Sequence, residues 1–298
     1  RHQNVVSVYS VEEEPIPYLV MELIEGETVQ DRIDQAGPLD VSDLMVLGRQ
    51  LLSGLAAAHA VGIVHRDIKP SNILIEDLPG QVLKITDFGL ARTVDDAKLT
   101  QTGYTTGTPM YMSPEQALGR SVDARSDLFS VASVLYAMAT GRAPFRAPST
   151  VAVLKRVVED TPRPIAEIVP EVPTWIESII RSMHNKSPAQ RFASAHPAML
   201  LWQQCEDQWR STAAISLHLQ KQIEAIDPAF TLSRPTVTAA PDAAFALRSS
   251  GNQHSHRPRL VPAFAVAVAL ILVVAAILAS GRLPRPKSVV GVGDTQNN

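Results

Sequence analysis

From residue 40 onward the chain repeats apolar side chains at helical spacing. Leu44, Leu47, Leu51 and Leu55 share one face, Asp40 stands where an N-cap belongs, and Gly62 offers a stop. Ahead of that helix, residues 4–11 and 18–23 are β-branched and apolar and read as strands. Behind it, Ile73-Leu74-Ile75 and Val82-Leu83-Lys84-Ile85 flank the turn sequence Asp77-Leu78-Pro79-Gly80, which predicts two short strands. Residues 126–140 are nearly all apolar, so they predict a helix buried through the middle of a domain. Further helices are expected at 151–159, 175–184 and 194–209, with Trp202 and Trp209 packing the last one onto the domain. From 227 to 259 periodicity is lost and Pro, Ser, Ala and Arg dominate, the composition of a solvated linker.

The composition changes this picture in two places. With 298 residues, 45% hydrophobic and 19% charged, the chain can bury one sizeable core and carry appendages. A net charge of −3 gives no reason to expect nucleic acid as a partner. The single cysteine, Cys205, allows no intramolecular disulfide and reads as a small buried hydrophobe. The second change comes near the C-terminus, where residues 260–279 carry no charge at all. As a helix they would span about 30 Å, the thickness of a bilayer core, with Arg257 and Arg259 before them and Arg282, Arg285 and Lys287 after. A single transmembrane helix at 260–280 is therefore expected, and the balanced flanks leave its orientation to the chemistry of the rest.

That chemistry is concentrated in His65-Arg66-Asp67-Ile68-Lys69-Pro70-Ser71-Asn72 and, downstream, Asp87-Phe88-Gly89. The first run sets a carboxylate, an ammonium and an amide at fixed offsets on one tight loop. The second adds a carboxylate followed by a hydrophobic plug and a flexible glycine. Phosphoryl transfer from ATP needs such a set: a base to orient a hydroxyl, a cation near the moving phosphate, and oxygen ligands for magnesium. The two motifs resemble the catalytic loop and magnesium-binding loop of protein kinases. Over about residues 1 to 205 the chain is similar to the bacterial serine/threonine protein kinases with one membrane span.

The resemblance implies an α+β, two-lobe fold with a mostly helical C-terminal lobe, a partial N-terminal lobe and the transmembrane helix. Residues 1–24 would be a remnant of the upper lobe and hinge, 25–210 the lower lobe, and 211–259 a juxtamembrane helix and disordered linker. Residues 281–298 would form a short tail outside. ATP is cytoplasmic, so the kinase part would face the cytoplasm and the chain would reside in the cell membrane. Asp67 would orient the substrate hydroxyl, Lys69 would stabilise the transferred phosphoryl, and Asn72 and Asp87 would hold Mg2+ against the ATP phosphates. His65 is expected to pack on Phe88. Adenine would lie against Met21 and over Leu74, and would meet the Glu22 carbonyl and Ile24 amide. Thr108, in Gly107-Thr108-Pro109, would hold Asp67 and Lys69 in register. Glu115 would pair with Arg191, and Asp127 would anchor the catalytic-loop backbone. Ser113 stands where the family most often has alanine, and Ala132 where it has glycine.

Autophosphorylation is expected at Thr100 or Thr102, with the phosphate ordering the loop against Arg66, and a homodimer would allow it. The implied partners are proteins presenting serine or threonine. The glycine-rich loop, strand lysine and helix glutamate of the family have no counterpart ahead of Asn4, where Arg1-His2-Gln3-Asn4-Val5-Val6 resembles the segment following that helix. The chain is thus expected to be a fragment, weak in phosphate transfer by itself. A catalytically incomplete, kinase-like binding module is the alternative reading.

Overall fold

The computed structural model describes residues 1–14, 16, 18–76, 80–88 and 109–229. The predicted membrane span at 260–280 and residues 230–259 of the linker preceding it lie outside these, as do Thr100, Thr102 and Thr108. Among the described residues no helix is long and apolar enough to cross a membrane.

Two small sheets come from the β-branched segments. β1 (Val8–Glu12) pairs antiparallel with β2 (Tyr18–Met21), in a register running from Val8 opposite Met21 to Glu12 opposite Tyr18. The first strand was expected at 4–11 and forms later. Residues 4–6 join the second sheet instead: the Val6 amide donates to the Ile85 carbonyl at 2.9 Å, and the Ile85 amide to the Asn4 carbonyl at 3.0 Å. That second sheet runs β3 (Gly26–Thr28), β4 (Ile73–Glu76) and β5 (Val82–Ile85), all antiparallel. β4 and β5 are the two strands legible from their apolar runs. β3 has no such run, and only its partner identifies it as a strand. At Gly26 a Cβ would sit 2.0 Å from the Ile75 carbonyl oxygen, so glycine is needed for the strands to approach.

The helices form the body. α1 (Val29–Ala36), short and unpredicted, opens with a capping box in which Thr28 and Asp31 satisfy each other's backbone amides. α2 (Val41–Ala60) buries Leu44, Leu47, Leu51 and Leu55 completely, and Gly62 takes a left-handed φ of 77° just beyond its end. α3 (Pro114–Ala117) is a single turn. α4 (Ala124–Thr140) is buried along almost its whole length, as an all-round apolar helix must be. Ala132, in the place of the expected glycine, is fully covered.

α5 (Thr150–Glu159), α6 (Thr174–Met183) and α7 (Ala195–Thr212) fall within a few residues of their expected spans. Trp202 is entirely buried, donates its indole N–H to the Met45 carbonyl at 2.9 Å and meets Trp175 edge-to-face at 5.2 Å. Gly48 on α2 makes room for it, since a Cβ there would lie 2.4 Å from the indole. Trp209 is partly buried against the same core, and Cys205 is buried with its thiol pushed up to about 12 by desolvation. The last described helix, α8 (Leu217–Ile226), lies within the 211–259 stretch. It buries Leu219 and Ile223, and its C-cap Asp227 pairs with Arg181 of α6 at 2.6 Å.

Candidate active site

Between α2 and β4 the chain makes a tight loop followed by a 3-10 turn at Pro70–Asn72, where the proline ring is preorganised for the first position. This folds three polar side chains together. The Lys69 ammonium donates to Asp67 Oδ2 at 2.6 Å, and the Asn72 amide donates to the same oxygen at 3.1 Å and to the Asp67 carbonyl at 2.9 Å. Asp67 Oδ1 has no protein partner among the described residues, and the side chain is 39% exposed. The hairpin of β4 and β5 then brings in the fourth group. The Thr86 amide donates to the Asn72 carbonyl at 3.0 Å, so Asp87 emerges at the same end of the hairpin as Asn72. Asp87 adopts a left-handed φ of 61° and Arg66 one of 70°, conformations that cost non-glycine residues about 1–3 kcal/mol and persist only where surroundings enforce them.

The enforcement at Arg66 is visible. Asp127, buried on α4, accepts from the Arg66 amide through Oδ1 and from the His65 amide through Oδ2, both at 2.8 Å. Its Oδ2 also receives the His59 Nε2 at 3.0 Å, while His59 Nδ1 accepts from the Ala195 amide at 3.3 Å. His59 was not singled out in the sequence. Its position in the last turn of α2, six residues before His65, was the only signal. The His65 ring contributes on both sides: Nε2 donates to the Thr86 carbonyl at 2.9 Å and Nδ1 accepts from the Asp67 amide at 3.3 Å. Those bonds select the tautomer protonated at Nε2. The ring lies 4.5 Å from that of Phe88, tilted by 50°.

Behind the loop, Glu115 and Arg191 form a buried two-pronged ion pair at 2.7 and 3.0 Å. Ser126 donates to the same carboxylate at 2.6 Å, another contact absent from the sequence reading. Arg191 also donates to the carbonyls of Arg125 and Asn185, so its guanidinium is well satisfied. Burial alone would raise the Glu115 carboxyl. The hydrogen bonds from Arg191 and Ser126 outweigh it and hold the group below its ordinary value.

The residues expected to face the nucleotide are less gathered. Met21 ends β2 and is 37% exposed, Leu74 is half-buried in β4, and Ile24 is half-buried in the connection to β3. The Glu22 amide donates to the Ser7 carbonyl at 2.9 Å, and its carboxylate receives the Ser7 amide and the Lys84 ammonium. The Lys84 bond, with the Ser7 amide behind it, holds the Glu22 carboxyl low. A cavity of about 340 Å³ opens beside Met21, lined by Val5, Leu19, Ile63, Asp87 and Phe88 among others, but not by Glu22, Ile24 or Leu74. Asp87 and Met21 therefore share one cavity, while the rest of the expected adenine contacts lie outside it.

Known proteins carry the same pattern. Residues 1–204 match the protein kinase domain family. A probable serine/threonine-protein kinase PknB of Bifidobacterium longum is 42% identical over 195 residues, 65% of this chain and 28% of the relative. Serine/threonine-protein kinase PknL of Mycobacterium tuberculosis is 42% identical over 180 residues, covering 60% and 44%. Serine/threonine-protein kinase PrkC of Bacillus subtilis is 39% identical over 196 residues, covering 65% and 30%. The chain thus spans less than half the length of each of these relatives. With the match covering more than half of its residues and the loop geometry in place, the chain belongs to the protein kinase family, and its relatives are bacterial serine/threonine kinases.

Proposed function

We propose that this chain is the catalytic part of a membrane-tethered protein serine/threonine kinase, moving the γ-phosphoryl group of ATP to serine and threonine hydroxyls of proteins. One observation carries the reading. Asp67 commits one carboxylate oxygen to Lys69 and Asn72 and leaves the other without a protein partner among the described residues, on a half-exposed loop. A hydroxyl that hydrogen-bonds this second oxygen is oriented for in-line attack, and its proton has an acceptor. Lys69, 2.6 Å from the base, places a positive charge beside the path of the phosphoryl group.

The donor set fits a hard divalent cation. The Asn72 amide nitrogen is turned to Asp67, which leaves its carbonyl oxygen as the donor, and the Asp87 carboxylate stands at the same end of the hairpin. Two such oxygens suit Mg2+, which keeps most of its waters and substrate phosphates as ligands. When bound, the ion supplies charge neutralisation on the phosphates. The relatives' names support protein serine and threonine hydroxyls as acceptors. The uncharged run at 260–280, with basic residues on both sides, supports a single span that keeps the kinase part on the ATP-containing cytoplasmic side. Thr100, Thr102 and Arg66 are the proposed elements of loop phosphorylation, for which a second copy of the chain would serve as partner.

Asp67→Asn keeps the size of the side chain and removes the base. In the chain at its natural length, transfer to casein should fall by about 10²- to 10⁴-fold with nucleotide binding unchanged. Undiminished transfer overturns the assignment, and a parallel loss of nucleotide binding would show that the fold had been damaged instead.

A further inference from the structure

Gln116, which no sequence motif singled out, sits on the one-turn helix α3 with both ends of its amide engaged. Its Oε1 accepts from the Ser113 amide and the Ser113 hydroxyl, each at 3.0 Å, and completes the capping box of α3. Its Nε2 reaches away from α3 and donates to the Arg66 carbonyl at 2.6 Å. That carbonyl belongs to the peptide unit that leads into Asp67. The N–H of the same unit, the Asp67 amide, donates to His65 Nδ1 at 3.3 Å. The preceding amide, that of Arg66, is held by Asp127 at 2.8 Å. The peptide plane that sets the direction of the Asp67 side chain is therefore pinned at both ends, in a left-handed stretch that does not hold itself.

We infer that Gln116 is a positioning residue for the reaction: through the Arg66 carbonyl it fixes the orientation of Asp67 and couples it to Ser113 at the N-cap of α3. The inference rests on the reading of Asp67 as the base. Among the described residues, three side chains hold the two peptide units that lead into Asp67, and each comes from a different element: Asp127 from the buried α4, His65 from the loop itself, and Gln116 from α3. Of the three, Gln116 is the one that links the base to Ser113. Ser113 enters through the cap: its hydroxyl and amide hold Oε1, which turns Nε2 toward Arg66.

The test compares Gln116→Glu, Gln116→Leu and Ser113→Ala with the unaltered chain at its natural length. Glutamate keeps the acceptor for the cap and loses the donor, leaving a carboxylate oxygen against the Arg66 carbonyl. In transfer to casein, both Gln116 variants should lower kcat by about ten- to a hundred-fold, with KM for ATP and Tm close to those of the unaltered chain. Ser113→Ala, which retains the donor, should lose about threefold or less. Amide hydrogen exchange over residues 64–68 should speed up in Gln116→Glu and not in Ser113→Ala, a readout that needs no activity. An unchanged kcat and unchanged exchange in Gln116→Glu overturn the inference. So does a kcat loss matched by a fall in Tm or a rise in KM, which would assign Gln116 to folding or nucleotide binding. If the unaltered chain transfers no phosphate, or Asp67→Asn transfers as well as it does, the kinase reading fails, and exchange alone decides whether Gln116 holds the loop.

Discussion

Single residues here carry charge that would be costly to bury without partners. Glu115 and Arg191 are the clearest case: removing one partner leaves a buried, unsatisfied charge, worth about 3–5 kcal/mol. Glu115→Gln should therefore lower the free energy of unfolding at neutral pH by that order, measured by urea titration. The carboxyl is held below its ordinary value, so its contribution is present above the unfolded-state value and disappears as pH falls through the folded-state value. The difference in stability between the unaltered chain and the Glu115→Gln variant should accordingly shrink in acid.

His184 acts in the same pH direction for the opposite chemical reason. Burial, helped by Lys186 and Arg191, lowers it to about 3, so it stays neutral when folded while the unfolded chain takes up a proton below about 6.5. Between those values stability should drop as the pH is lowered, by at most about 1.4 kcal/mol per pH unit from this group. A denaturation series over pH 3–7 in which stability is flat would contradict this.

At the scale of elements, the packing of α7 on α2 depends on one missing side chain. Gly48 faces Trp202 with room for a hydrogen only, so Gly48→Ala forces the indole or the helix to move. Overpacking of this kind costs about 1–3 kcal/mol, and calorimetry should show the Tm lowered to match. α8 is held by Leu219, Ile223 and the Asp227–Arg181 pair. Leu219→Ala should cost about 2–5 kcal/mol if α8 unfolds together with the body. If urea transitions followed by Trp fluorescence show little change, α8 undocks by itself.

The elements also show where periodicity is informative. The faces of α2, α4, α6 and α7 announce themselves because each must bury a long apolar stripe. β3, α1 and α3 do not: they are three to eight residues long, too short to write a period, and β3 is fixed by a strand some fifty residues away while α1 and α3 are each opened by a local capping box.

At the scale of the whole molecule, the proposed membrane span is testable without activity. Residues 1–298 should sediment with vesicles and resist carbonate extraction. Replacing both Leu272 and Val273 by Arg, at about 2.5–3.5 kcal/mol each on insertion, should release the chain. A chain that stays soluble without those changes removes the tether from the proposed function. The run of residues 65–72 and the Asp87-Phe88-Gly89 triplet pointed to the chemistry directly, because residue type and spacing along a short loop are local properties that the sequence records in full. The same holds for the long apolar helix faces, whose period is written in neighbouring residues. Only the tertiary structure decided which atoms hold the loop: His59, Ser126 and Gln116 are ordinary residues in the sequence, and their roles come from Asp127, Glu115 and the Arg66 carbonyl, 68, 11 and 50 positions away. Hydrogen bonds between such distant residues follow from how buried helices bring backbone and side chains together, and no local pattern encodes that meeting.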